Sequence, residues 1–146
     1  MTNEEIMELA LEEAQKSSEF VGCGVVIVKD GQIIAKTHNL QRATNNATAH
    51  AEINAIKEAG QKLGSKNLDN CEIYCTCEPC TMCLSAIIFA KISKLFYGTS
   101  MLETFPDNLP ITLTTNELLS HANHKIEVVG GILKEECKKL LASNGN

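Results

Sequence analysis

Apolar positions recur at helical spacing over residues 3–18, with Ile6, Leu9, Ala10 and Ala14 on one side. Thr2 and Glu5 fit a capping box there, and the early glutamates suit the positive end of the helix. The pattern then changes to branched apolar runs. Cys23–Val28 and Gln32–His38 flank Asp30-Gly31, which predicts a hairpin whose tight turn needs positive φ at both central residues. Gly22 and Gly24 bracket Cys23 and serve either to relieve crowding or to admit a ligand close to the backbone. Residues 39–47 are polar, with a turn signal at Asn45-Asn46. Thr48 to Leu63 reads as a helix capped by Thr48 and ended by Gly64, with Ile53, Ile56 and Ala59 as its buried stripe.

Further on, Cys71–Thr76 predicts a strand stopped by Glu78-Pro79, and Pro79 suits the first position of a helix running to Ala90. Lys94–Tyr97 is a strand that ends at Gly98. Residues 100–113 are irregular, hold Phe105, Pro106 and Pro110, and read as a lid or specificity loop. A short helix over Thr115–His121 capped by Thr114 or Thr115, a strand over Lys125–Val129, a Gly130-Gly131 turn and a helix over Leu133–Leu141 complete the chain. The order α-β-β-α-β-α-β-(α)-β-α predicts an α/β fold, a three-layer α/β/α sandwich with a central five-stranded mixed sheet. Right-handed crossovers bring the helix starts near residues 48 and 80 to the same sheet edge.

Composition narrows the classes. A chain of 146 residues at 44% hydrophobic supports one core, and no linker, repeat or low-complexity tract divides residues 1–146, which read as a single domain. The start lacks a basic-then-apolar leader, and no run has the length of a membrane span. The cysteine count of 7 is odd, which favours reduced thiols in a cytoplasm over a disulfide framework. A net charge of −5 with Arg42 as the only arginine is a poor footprint for gripping phosphate backbones, so nucleic acid is the disfavoured partner and a membrane is excluded.

The chemistry concentrates in residues 48–83. His50, Cys80 and Cys83 are three of the four ligands zinc takes, and leaving the fourth position to water or hydroxide makes a catalytic site. Glu52, two residues from His50, can face the same cavity as a proton carrier without binding metal. Cys80 and Cys83 share one face of a first helical turn, where the dipole favours thiolates. Two other readings stand beside this one: a closed structural site completed by Cys75 or Cys77, and a redox pair at Cys80/Cys83. Neither explains the histidine and glutamate together at the preceding helix start. Asn39, in a loop at a strand end, is either a substrate contact or a turn asparagine.

His50-Ala51-Glu52 with Pro79-Cys80-Thr81-Met82-Cys83 resembles the cytidine/deoxycytidylate deaminase superfamily, and the likeness extends over GVVIVKDGQIIA, TAHAEINAI, CEPCTMC and GGILKEEC. The resemblance implies a cytidine deaminase-like fold, one zinc on His50, Cys80 and Cys83, and Glu52 as proton shuttle. It also implies Asn39 and the backbone of Ala51 and Glu78 as substrate contacts, and a homodimer. The reaction it implies is hydrolytic loss of ammonia from an amino-heterocycle. Guanine or a related purine is favoured, because Cys77 matches bacterial guanine deaminases, the charge is acidic, and the Asp-x-Lys-x-Gly stretch of tRNA adenosine deaminases is replaced by Ser100 to Phe105. Against guanine stand Gly22-Cys23-Gly24 in place of a Pro-aromatic-Gly, and an end at Asn146 without a closing aromatic tail. The alternatives are a tRNA-specific adenosine deaminase, a cytosine or cytidine deaminase, and a catalytically dead zinc-stabilised binding module.

Overall fold

The computed structural model describes residues 1–144; Asn146, on which the expected lack of a closing tail bears, lies outside them. Helix α1 (Asn3–Gln15) opens with the predicted Thr2/Glu5 capping box and stops three residues short of the predicted end. Strands β1 (Gly24–Lys29) and β2 (Gln32–His38) turn at Asp30 and Gly31, whose φ values of 50° and 76° are the positive pair that the tight turn demands. The β1/β2 register shifts between Ile27 and Val28, a bulge at Ile34 of β2 that no sequence signal announced.

A short helix α2 (Gln41–Thr44) occupies the polar stretch expected to be loop, ending on Asn45 in the left-handed conformation. Then follow α3 (Ala51–Leu63), β3 (Cys71–Cys77), α4 (Thr81–Phe89) and β4 (Lys94–Thr99). The segment read as irregular contains α5 (Met101–Thr104) and a single 3-10 turn at Pro106–Asn108. Helix α6 (Thr115–Leu119), capped by Thr114 with Glu117, strand β5 (Glu127–Val129) and helix α7 (Lys134–Asn144) complete the order.

The sheet order is β2-β1-β3-β4-β5; β1 runs antiparallel to both neighbours, and β3, β4 and β5 are parallel. Alternation along β1 sorts the core into two layers. Val25 and Ile27 join Ile73, Cys75, Ala55, Ala59, Leu84 and Ile87 under α3 and α4. Val26 and Val28 join Met7, Ala10, Tyr74, Phe96 and Cys137 under α1 and α7, where the Tyr74 and Phe96 rings stack at 4.5 Å. The predicted α/β/α sandwich with a five-stranded mixed sheet is therefore the observed one. No helix among the described residues is long and apolar enough to cross a membrane.

One packing detail corrects the sequence reading, and another decides between the alternatives it left for Gly24. The buried stripe of α3 is Ala51, Ala55 and Ala59, at i, i+4 and i+8, whereas Ile53 and Ile56 are only half-buried. Small residues let α3 lie close on β1 and β2, so the larger apolar side chains flank the contact instead of filling it. Gly24 relieves crowding rather than admitting a ligand: a Cβ there would collide with the Ala10 carbonyl and the Ala14 amide of α1. Because those atoms are helix backbone they cannot swing aside. We expect Gly24→Ala to lower stability by about 1–3 kcal/mol in denaturant titration, while Gly31→Ala, with open space around it, is penalised only for its positive φ.

Candidate metal centre and active site

The parallel pair β3/β4 and the hairpin direct α3 and α4 side by side over one face of the sheet, with both N-termini at one edge. His50 is the N-cap of α3 and Cys80 the N-cap of α4, and neither side chain caps its own helix. These positions correct the expected Thr48 cap and the expected place of Pro79 inside the helix. Thr48 instead bonds through its amide and hydroxyl to the Asn46 side chain, and Pro79 precedes the cap. The caps are free because their side chains turn towards each other.

His50 Nδ1 lies 3.8 Å from Cys80 Sγ and 3.5 Å from Cys83 Sγ, and the three donor atoms all fall within 4.8 Å of one another. Zinc bonds of about 2.0–2.1 Å to nitrogen and about 2.3 Å to sulfur at tetrahedral angles require an N···S edge of about 3.6 Å. The donor set and its spacing fit one zinc per chain. Cys80 is drawn down to about 4 by the hydrogen bond from the Cys83 thiol, with His50 pulling the same way. Cys83, which donates that bond and is buried, is pushed up. Of the two thiols Cys80 is the one disposed to ionise first, and metal binding requires the proton of Cys83 to leave as well. Cys75 and Cys77 are not in this cluster. Cys75 sits in the core, and none of the cysteines forms a disulfide.

Beside the cluster lies a cavity of about 440 Å³, within the usual range for small-molecule sites. Six of the seven predicted site residues line it, His50, Cys80, Glu52, Asn39, Ala51 and Glu78, and the seventh, Cys83, is buried in the first turn of α4. Glu52 is buried, and desolvation pushes its carboxyl up to about 7, with a backbone amide pulling the other way. Asn39 is also buried, but both ends of its amide serve the backbone: Oδ1 accepts from the Cys23 amide at 2.9 Å, and Nδ2 donates to the Val21 carbonyl at 2.8 Å.

The Ala51 carbonyl accepts from Thr37 Oγ1 at 2.7 Å, and Asn54 Nδ2 donates to the His38 carbonyl at 2.9 Å, which together fix the first turn of α3. Glu78 uses its amide on the Thr99 carbonyl, and its carboxylate accepts from Thr115 Oγ1, both at 2.7 Å. That last bond ties α6 to the metal motif. Wall residues not singled out from sequence include Val21, Gln41, Leu109, Ile111, Leu113 and Asn116. Leu109, Ile111 and Leu113 fall at alternate positions in the segment that the sequence marked only as a lid or specificity loop.

The family pattern of the cytidine and deoxycytidylate deaminase zinc-binding region matches residues 1–99. The chain belongs to this deaminase family. It is a zinc-dependent deaminase, a hydrolase of C–N bonds. The tRNA-specific adenosine deaminase of Bacillus subtilis (strain 168) is 37% identical over 148 residues, covering 98% of this chain and 89% of its own. A structure from studies of A-to-I editing by tRNA:A34 deaminases at the wobble position of transfer RNA has a TM-score of 0.80 at 35% identity, covering 94% of this chain and 99% of its own. The guanine deaminase from Bacillus subtilis has a TM-score of 0.65 at 34% identity, covering 86% of this chain and 98% of its own.

Elemental analysis of this deaminase is expected to find about one zinc per chain, and Cys83→Ala to abolish it with a lower melting temperature. Cys77→Ser is expected to keep the metal. Loss of zinc in Cys77→Ser would mean a closed four-ligand site.

Proposed function

We propose that this deaminase converts adenosine to inosine in transfer RNA. The observation that carries the reading is likeness over nearly the whole chain, including the part beyond the zinc-binding region, to a tRNA-specific adenosine deaminase. The preference for guanine read from Cys77 and the acidic charge gives way to this alternative. The charge objection weakens once the cavity is considered. Glu52, Glu78 and Glu103 line it and no lysine or arginine does, so it suits a base without its phosphate. An RNA loop satisfies that demand by turning a single base out of the stack while its backbone stays outside.

His50, Cys80 and Cys83 would hold the zinc, which when bound makes water acidic enough to serve as a nucleophile near neutral pH. Glu52 would carry one proton of the attacking water to the ring nitrogen beside the reacting carbon, and then carry the second, from the newly formed hydroxyl, to the amine, which leaves as ammonia. A carboxyl poised at about 7 by burial can both accept and return that proton. Asn39 shapes the wall by holding Val21 and Cys23, and it retains one N–H and one lone pair for substrate. The first amides of α3, at Ala51, receive no cap from His50. The Glu78 carbonyl is the backbone group left for the leaving amine, since its amide is taken by Thr99.

A homodimer belongs to the same reading. Helix α4 (TMCLSAIIF) is apolar on all sides, and Phe89 at its end is 82% exposed, the signature of a helix covered by something else. Guanine remains the second reading, favoured by the guanine deaminase likeness.

Editing of an anticodon stem-loop, scored as inosine, is the test. Turnover of free guanine with no edited RNA would reverse the choice. Glu52→Gln is expected to keep zinc and lower kcat by about 10²–10⁴-fold; equal activity would remove Glu52 from the chemistry. Sedimentation should find a dimer, and Phe89→Glu should shift it to monomer.

A further inference from the structure

The two ends of the segment between β4 and α6 meet on Glu78. Thr99, the last residue of β4, accepts the Glu78 amide on its carbonyl at 2.7 Å, and Thr115, the first residue of α6, donates its hydroxyl to Glu78 Oε2, also at 2.7 Å. Glu78 stands directly before Pro79 and the ligand Cys80. Met101, Leu102, Leu109, Ile111 and Leu113 of the enclosed segment line the cavity. Little else holds its second half. Residues 109–113 form no helix or strand and make no backbone hydrogen bond among the described residues, and Ile111 and Leu113 are 58% and 46% exposed. The Thr115 hydroxyl is free for Glu78 because Thr114 and Glu117 form the capping box of α6, while Leu118 and Leu119 seat that helix on the core.

We propose that Thr115 is a positioning residue for substrate binding: its hydroxyl, by holding the Glu78 carboxylate, keeps the wall at residues 109–113 in place before the substrate arrives. A hydrogen bond to a carboxylate is stronger than one between neutral groups, so one such bond can clasp a loop. Closing the loop beforehand spares the substrate the ordering cost it would otherwise meet on entry. That contribution is the same in the ground state and the transition state. Its loss therefore raises KM and leaves kcat alone. The Glu78 backbone keeps its place without Thr115, since its amide is on Thr99 and Pro79 follows it, and the metal ligands are undisturbed for the same reason. The inference rests on the deaminase chemistry and applies equally to adenosine in RNA and to free guanine.

The test compares zinc-loaded wild type with Thr115→Val, which keeps the shape and loses the hydroxyl, and Thr115→Ser, which keeps the hydroxyl. Each is assayed on an anticodon stem-loop RNA and on free guanine. On whichever is turned over, Thr115→Val should raise KM by about fivefold to tenfold with kcat within about twofold of wild type, and Thr115→Ser should restore KM. Glu78→Ala should raise KM by a similar factor, and adding Thr115→Val to it should change nothing further, because the partner is already gone. Amide hydrogen exchange over residues 105–113, read without substrate, should be faster in Thr115→Val and Glu78→Ala and normal in Thr115→Ser. Zinc content should be equal in all of them. An unchanged KM in Thr115→Val, a loss confined to kcat, lost zinc, or additive losses in the double variant would overturn the role of Thr115. Failure of wild type on RNA alone sinks only the adenosine reading, whereas unchanged exchange sinks this one whatever the substrate.

Discussion

The molecule depends on two helix N-termini that point at the same few ångströms of space. A helix start is ordinarily closed by a side chain that accepts from its free amides, and giving that up costs roughly 1 kcal/mol. Here α3 and α4 both forgo it, because His50 and Cys80 occupy the capping positions yet turn towards each other. The uncapped amides leave two positive helix ends facing a cluster that must become anionic to bind zinc, so what is lost as capping returns as stabilised thiolate. Elsewhere the chain caps normally, as at Thr2 and Thr114. Among the helices of eight residues or more whose caps are described, the exception is confined to the metal centre.

Bringing the helices that close requires a sheet with little bulk beneath them. Ala51, Ala55 and Ala59 form the contact stripe of α3, and Gly24 does the same for α1 on the opposite face. With small residues at the closest approach, the side chains around the site are fixed by hydrogen bonds to backbone: Thr37 on Ala51, Asn54 on His38, Asn39 on Val21 and Cys23. The Glu52 carboxyl is thereby held in a dry place beside the donor cluster, and dryness sets its proton affinity.

What could be read from the sequence was what local chemistry determines. Asp30-Gly31 announces a hairpin because few other pairs tolerate its turn, and histidine, glutamate and two cysteines at that spacing have few other uses. The order of elements was enough for the three layers, since branched apolar runs alternating with helical stretches allow little else. What could not be read depends on contacts between distant segments. Thr48 looks as good a cap as any until the metal cluster claims His50 for that position. Ile53 looks more buried than Ala51 until the distance between α3 and the sheet is known. The bulge at Ile34 and the α2 turn leave no local mark.

The bond from Thr115 to the Glu78 carboxylate fastens the far end of the stretch over the cavity, and the Thr99 carbonyl, which accepts from the Glu78 amide, fastens the near end. A strap pinned at both ends can bow but cannot swing. Passage in and out of the site then widens or narrows at the middle of the span, around Phe105 to Leu113.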